Sequence, residues 1–126
     1  MKFFIDNNLS IQMARGMEGF GEEVMHLQDE FPQGTPDEQW LQYVGDNDLI
    51  LVTRDREIRR RPAELKALKD HKVGVFFLGG KNRGRCELIQ QLVRNWPRMK
   101  AVAAKARKPF AFVVPPSGGK FRDVPL

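Results

Sequence analysis

Lys2-Phe3-Phe4-Ile5-Asp6-Asn7-Asn8-Leu9-Ser10-Ile11-Gln12-Met13 decides how the rest of the chain is read. A short apolar run stops at an acid, two asparagines offer a turn, and a second apolar pattern then begins at a different spacing. Leu9, Met13, Met17 and Phe20 recur on one helical face, with Asn8 as the expected cap and Gly21 as the stop. Strand, polar turn and helix in this order form the repeating unit of a parallel α/β sheet. Outward from this unit, Glu23 to Leu27, Leu49 to Thr53, Val73 to Leu78 and Phe110 to Val114 are further runs rich in Val, Ile, Leu and Phe. With Lys2 to Ile5 they predict a mostly parallel five-stranded sheet.

Helical patterns lie between these runs. Thr35-Pro36-Asp37-Glu38 reads as a helix start, with Thr35 as N-cap, Pro36 at the first position and Glu38 completing a capping box. Pro62 opens another helix carrying Leu65 and Leu68. The longest stretch runs from about Arg85 to Arg107, and Pro97 is expected to kink or split it because proline has no backbone donor. Residues 1–114 are read as one domain, and 115–126, with Pro115-Pro116-Ser117-Gly118-Gly119, as a mobile or draped tail.

The bulk composition agrees with a folded single domain: 126 residues, 41% hydrophobic and 29% charged. Cys86 is the only cysteine, which excludes an intrachain disulfide, and no Cys/His group has the spacing of a zinc site. Phe3-Phe4-Ile5 is too short for a signal-peptide core, and no segment reaches the roughly 20 apolar residues of a membrane span. The expected location is the cytoplasm. A net charge of +5 is gathered into two clusters, Arg54, Arg56, Arg59, Arg60 and Arg61, then Lys81, Arg83 and Arg85. Such clusters suit a phosphate backbone, so Arg54, Arg56, Arg59, Arg60, Lys81 and Arg83 are candidate nucleic-acid contacts. A solvated basic face is the plainer explanation.

Three acids stand where ligands bind in parallel sheets, beyond the carboxyl ends of the strands. Asp6 follows the first strand and Asp55 follows the third. Each also suits a helix cap. Asp37 shares a helical face with Trp40, Leu41 and Val44, so it is expected on the buried side, whereas Glu38 has a capping role. Two like charges about 5 Å apart repel by about 3 kcal/mol at an effective dielectric near 20. A hard divalent cation, Mg²⁺ or Mn²⁺, offsets that repulsion with oxygen ligands and suits phosphodiester hydrolysis. Protonation of one acid is the alternative.

These segments resemble the PIN-like domains of the VapC toxin type. The resemblance runs through Lys2 to Ser10, Thr35 to Trp40, Thr53 to Glu64, Gly74 to Leu78, Leu92 to Pro97 and Gly118 to Lys120, and so spans nearly the whole chain. It implies a three-layer α/β/α fold, Mg²⁺- or Mn²⁺-dependent cleavage of RNA, and pairing with an antitoxin protein. Carried over by position, the family's acids fall on Asp6, Asp37 and Asp55, with Glu57 as a further metal ligand two residues on. A fourth acid is not evident near Glu87. Asn7 and Thr53 are expected to support the ligating groups. PIN-like domains often dimerise, and the apolar face around Trp96 and Met99 suits either that contact or packing on its own sheet.

Two other readings stay open at this point. One is a catalytically silent PIN-like module that binds RNA or an antitoxin. The other is a receiver-like phosphoacceptor, suggested by acids after strands one and three and by Lys108-Pro109-Phe110. In receivers that triplet follows the fifth strand; here it precedes it, and Asp37 would have no role.

Overall fold

A computed structural model describes residues 1–81 and 83–126. Six strands form one sheet: β1 (Phe3–Ile5), β2 (Val24–His26), β3 (Ile50–Thr53), β4 (Gly74–Leu78), β5 (Phe110–Val114) and β6 (Arg122–Asp123). Their spatial order is β2-β1-β3-β4-β5-β6, with every pairing parallel except β5 with β6. The helices are α1 (Ile11–Gly19), α2 (Leu27–Glu30), α3 (Asp37–Asp46), α4 (Pro62–Asp70) and α5 (Arg85–Lys105), with a 3-10 turn at Arg56–Arg59.

The period-2 alternation of the strands divides the core in two. Phe3, Ile5, Ile50, Val52, Phe76 and Leu78 face α1 and α5, meeting Met13, Met17, Leu92, Trp96 and Met99. Phe4, Leu51, Val75 and Phe77 face α3 and α4, meeting Trp40, Leu41, Val44 and Leu68. Both faces are covered, which makes the expected three-layer α/β/α architecture. Trp96 and Met99 are buried against the sheet, so of the two roles open to that face it takes the intramolecular one.

The sheet has six strands rather than the expected five. Residues read as tail turn back along β5, where Phe112 and Val113 pair with Asp123 and Arg122. Phe121 and Val124 are buried, one in each half of the core. Two apolar residues spaced three apart amid turn formers leave almost no periodic signal, so this return was hidden in sequence.

Three local expectations also change. Ser10, not Asn8, caps α1, accepting the Gln12 N–H at 3.1 Å, while Gly21 ends the helix at φ +88° as anticipated. The capping box at α3 does not form: the Thr35 hydroxyl donates to the Pro32 carbonyl at 2.7 Å, Pro36 holds the cap position, and Glu38 is exposed. Pro97 lies inside an unbroken α5. Leu92 and Trp96 before it, and Met99 and Ala103 after it, enter the same core, and Val93, whose carbonyl loses its donor to the proline, lies on the exposed side where water can replace it.

One buried histidine ties the sheet edge together. His26 Nε2 lies 2.9 Å from the Leu9 carbonyl, while its Nδ1 accepts the Gln28 N–H at 3.1 Å, so the Nε2 tautomer carries the proton. The β1–α1 loop is thereby anchored to the end of β2. That loop carries Asp6, Asn7 and Asn8.

Candidate active site

Chain direction creates a crevice at the carboxyl ends of β1 and β3. From β1 the chain passes to α1 on one face of the sheet, whereas from β3 it passes to the 3-10 turn and α4 on the other. The two exit loops part from one another, and β2 and β3 flank β1 on opposite sides. This is the switch point at which open α/β sheets bind ligands. A pocket of about 150 Å³ opens there, and Asp6, Asp37 and Asp55 all line it, with Asn7, Leu27 and Trp40.

Each acid reaches the pocket by a different route. Asp6 is 4% exposed and held on both oxygens, accepting the Asn8 N–H at 3.2 Å and the Thr53 hydroxyl at 2.7 Å. Burial is the main force raising its pKa, from 3.8 to about 7; the bonds from Thr53 and Asn8 oppose the rise, and the charges of Asp55 and Asp37 add to it. Thr53 also accepts the Asp55 N–H at 3.0 Å, so one hydroxyl sets the positions of two acids. Asp55 caps the 3-10 turn through the Glu57 N–H at 3.1 Å, and its other oxygen lies 2.6 Å from Arg61 Nη2. Its capping role and its pocket role coexist. Asp37 accepts the Trp40 indole N–H at 3.1 Å, which turns its half-buried carboxylate toward the pocket. Glu38, one residue on, is exposed and lies outside the pocket lining.

The remaining candidates divide by position. Asn7 lines the pocket and accepts from Gln28 Nε2 at 3.3 Å. Glu57 is exposed, paired with Arg60 at 3.2 Å, and is not part of the pocket wall. Arg54 turns inward: its guanidinium lies 3.3–3.4 Å from the carbonyls of Leu78, Gly79 and Gly80. Its pKa is lowered by burial first and by the charges of Arg56 and Arg83 next. Arg83 is half-buried and paired with Glu87 at 3.3 Å, Arg59 is half-buried, and Arg56, Arg60 and Lys81 are exposed.

Arg61 is the residue of the site that sequence reasoning did not single out. It appeared only as one member of a basic cluster, yet its Nη2 lies between Asp55 at 2.6 Å and Asp37 at 3.5 Å, and its Nε faces Glu64 at 3.3 Å. The available signal was its place six residues after Asp55 and directly before Pro62, where an extended backbone is enforced.

As the side chains stand, no group of three Asp, Glu, His or Cys among the described residues is gathered closely enough to hold an ion. The donor set nevertheless suits a hard cation. All three carboxylates share one pocket, and Asp6 has no ion-pair partner among the described residues. Asp37 and Asp55 are already bridged by Arg61.

A family model described as PIN like domain matches residues 1–80, the segment holding Asp6, Asp37, Asp55 and Arg61. The chain belongs to the PIN-like domain family. No curated protein and no solved structure matches it. PIN-like domains are commonly nucleases, and the acid pocket of this one occupies the matched segment. Among the described residues no helix of this PIN-like domain is long and apolar enough to cross a membrane.

Proposed function

We propose that this PIN-like domain is a Mg²⁺- or Mn²⁺-dependent endoribonuclease, the toxin of a toxin-antitoxin pair acting in the cytoplasm. The observation that carries the reading is the meeting of Asp6, Asp37 and Asp55 around one pocket at the switch point of the sheet. These three carboxylates would hold the ion. When bound, it supplies Lewis acidity and offsets the charge gathering at the scissile phosphate. Thr53 orients Asp6 and Asp55, the Trp40 indole orients Asp37, and Leu27 with Trp40 gives the pocket an apolar wall that limits water. The exposed cations Arg56 and Lys81 are available to an RNA backbone, and Arg60 on leaving Glu57, whereas Arg54 is committed to the chain's own carbonyls. Glu57 would reach the ion only after leaving Arg60.

The test is cleavage of single-stranded RNA by the purified protein with Mn²⁺ or Mg²⁺. Chelation should stop it, and Asp6→Asn, Asp37→Asn and Asp55→Asn should each lower it by orders of magnitude. Cleavage that survives chelation and all three substitutions would sink the proposal. A second reading, a catalytically silent module that binds RNA or an antitoxin, is favoured by one observation, the Arg61 bridge across Asp37 and Asp55. RNA binding without metal-stimulated cleavage would select it.

A further inference from the structure

Arg61 stands where helix energetics do not want it. It is the N-cap residue of α4 and makes no side-chain cap bond. That position favours Ser, Thr, Asp or Asn, whose oxygens accept the free N–H groups, and the positive end of the helix dipole disfavours a cation. Pro62 directly after it restricts the Arg61 backbone to an extended conformation, observed at φ −80° and ψ 125°. The side chain runs back from the helix start to two of the acids that line the pocket: Nη2 bridges Asp55 and Asp37, and Nε rests on Glu64. A guanidinium is charged at any working pH, so the bridge carries a full positive charge. Asp6, the third acid of the pocket, is beyond this bridge.

We infer that Arg61 is a built-in counter-cation: it holds Asp37 and Asp55 in place of a divalent ion and must release them before that ion binds. The inference rests on the metal-dependent reading above. Without a cation between them, Asp37 and Asp55 would repel each other and Asp6; with Arg61 there, the metal-free fold keeps its acids positioned. Asp37 and Asp55 would offer those oxygens to a divalent ion only once the guanidinium has left them, and the larger charge of the ion would favour that exchange. Glu64 then keeps the freed arginine at the rim of the pocket, since its carboxylate lies at the Nε end of the side chain rather than among the oxygens being released. Metal affinity of the wild-type chain is therefore lowered by the work of removing an internal competitor.

The experiment is Mn²⁺ titration by calorimetry, with melting temperature as a second readout, on chelator-treated wild type, Arg61→Met, Arg61→Lys and Lys66→Met. Lys66, paired with Asp70 on the exposed side of α4, controls for loss of one positive charge. Arg61→Met should bind Mn²⁺ about tenfold more tightly than wild type, the size of an ordinary coupling between two ligands of one site. Arg61→Lys, which keeps the charge but loses the planar fork, should fall between them, and Lys66→Met should match wild type. Binding by Arg61→Met with none by wild type would support the inference even more strongly. Equal or weaker binding by both Arg61 variants would overturn it while leaving the metal reading intact; a purely structural Arg61 predicts that result, with a lower metal-free melting temperature. Absence of Mn²⁺ binding in every variant would overturn both. If Arg61→Met does not fold, Arg61→Lys alone decides, by the same direction of change.

Discussion

Asp37 and Glu38 are adjacent acids in the first turn of α3, and their surroundings separate them. Asp37 is bonded to the Trp40 indole and lines the acid pocket; Glu38 is exposed and makes no capping bond. Asp37→Asn should abolish metal-stimulated cleavage while the fold persists, and Glu38→Gln should change cleavage and stability little. Equal losses in an RNA cleavage assay would show that the helix start, not the pocket, needs the charge. The buried Asp6 gives a pH signature to the metal-free protein. Its folded pKa of about 7 against an ordinary 3.8 means the folded state holds the extra proton between those values. Its contribution to stability is fully present below about 3.8 and is lost as pH rises through about 7, at roughly 1.4 kcal/mol for each unit of difference. Chelator-treated protein should therefore resist urea better at pH 5 than at pH 8, and Asp6→Asn should flatten that dependence. A slope unchanged in Asp6→Asn would assign it to another group. Since a proton and a metal ion compete for the same carboxylate, Mn²⁺ should also bind more weakly at pH 6 than at pH 8.

At the scale of elements, α5 and β6 show packing overriding local chemistry. Proline inside a helix costs about 3 kcal/mol relative to alanine, part of which is recovered because proline also restricts the unfolded chain. Pro97→Ala should restore the bond to the exposed Val93 carbonyl and stabilise the protein by roughly 1–2 kcal/mol in urea unfolding. No gain, or a loss, would mean that the proline shapes the contact of α5 with the sheet. For β6 the expected outcome is opposite in sign. Phe121 is buried in the half of the core that contains α5, edge-on to Phe76 at 5.9 Å, with Arg98 over its outer face. Phe121→Ala should cost about 3 kcal/mol, as large-to-small changes in a core do. A cost near zero would show that the return strand adds little to the domain.

For the whole molecule, the partition of its positive charge governs RNA affinity. Were all eight clustered cations available to phosphate, every one would contribute to the salt dependence of binding. Arg54 is spent on carbonyls at the end of β4 and Arg61 on the acid pocket. Arg56→Ala or Lys81→Ala should weaken single-stranded RNA binding and reduce the log-log salt slope by about 0.7 per lost phosphate contact. Arg54→Ala should leave the slope unchanged and lower thermal stability instead, by releasing three carbonyls from their donor. A reduced slope for Arg54→Ala would show that its guanidinium turns outward to RNA. Filtration and calorimetric titrations at several salt concentrations measure both quantities.

Much of this architecture was legible in the linear sequence because it depends on short-range periodicity. The unbroken apolar runs Phe3-Phe4-Ile5 and Gly74 to Leu78 specify strands with two buried faces, and the acids that follow the first and third strands, with Asp37 on the face of Trp40, specify where the pocket forms. Whatever depends on which of several equivalent bonds a side chain makes was decided only in three dimensions. Asn8 was the expected cap of α1; the Thr53 hydroxyl, 45 residues away, engages its side chain at 3.1 Å, and Ser10 caps the helix instead. Thr35 had a choice between the start of α3 and the Pro32 carbonyl, and the turn before the helix settled it. Arg61 read as one cation among several in its cluster, and only the closing of β1, α3 and β3 around one crevice puts its guanidinium between two aspartates from different elements. The physical reason is the same in each case: local patterns record burial, which recurs with the period of the backbone, whereas hydrogen bonds and ion pairs depend on partners that the fold brings together from distant parts of the chain.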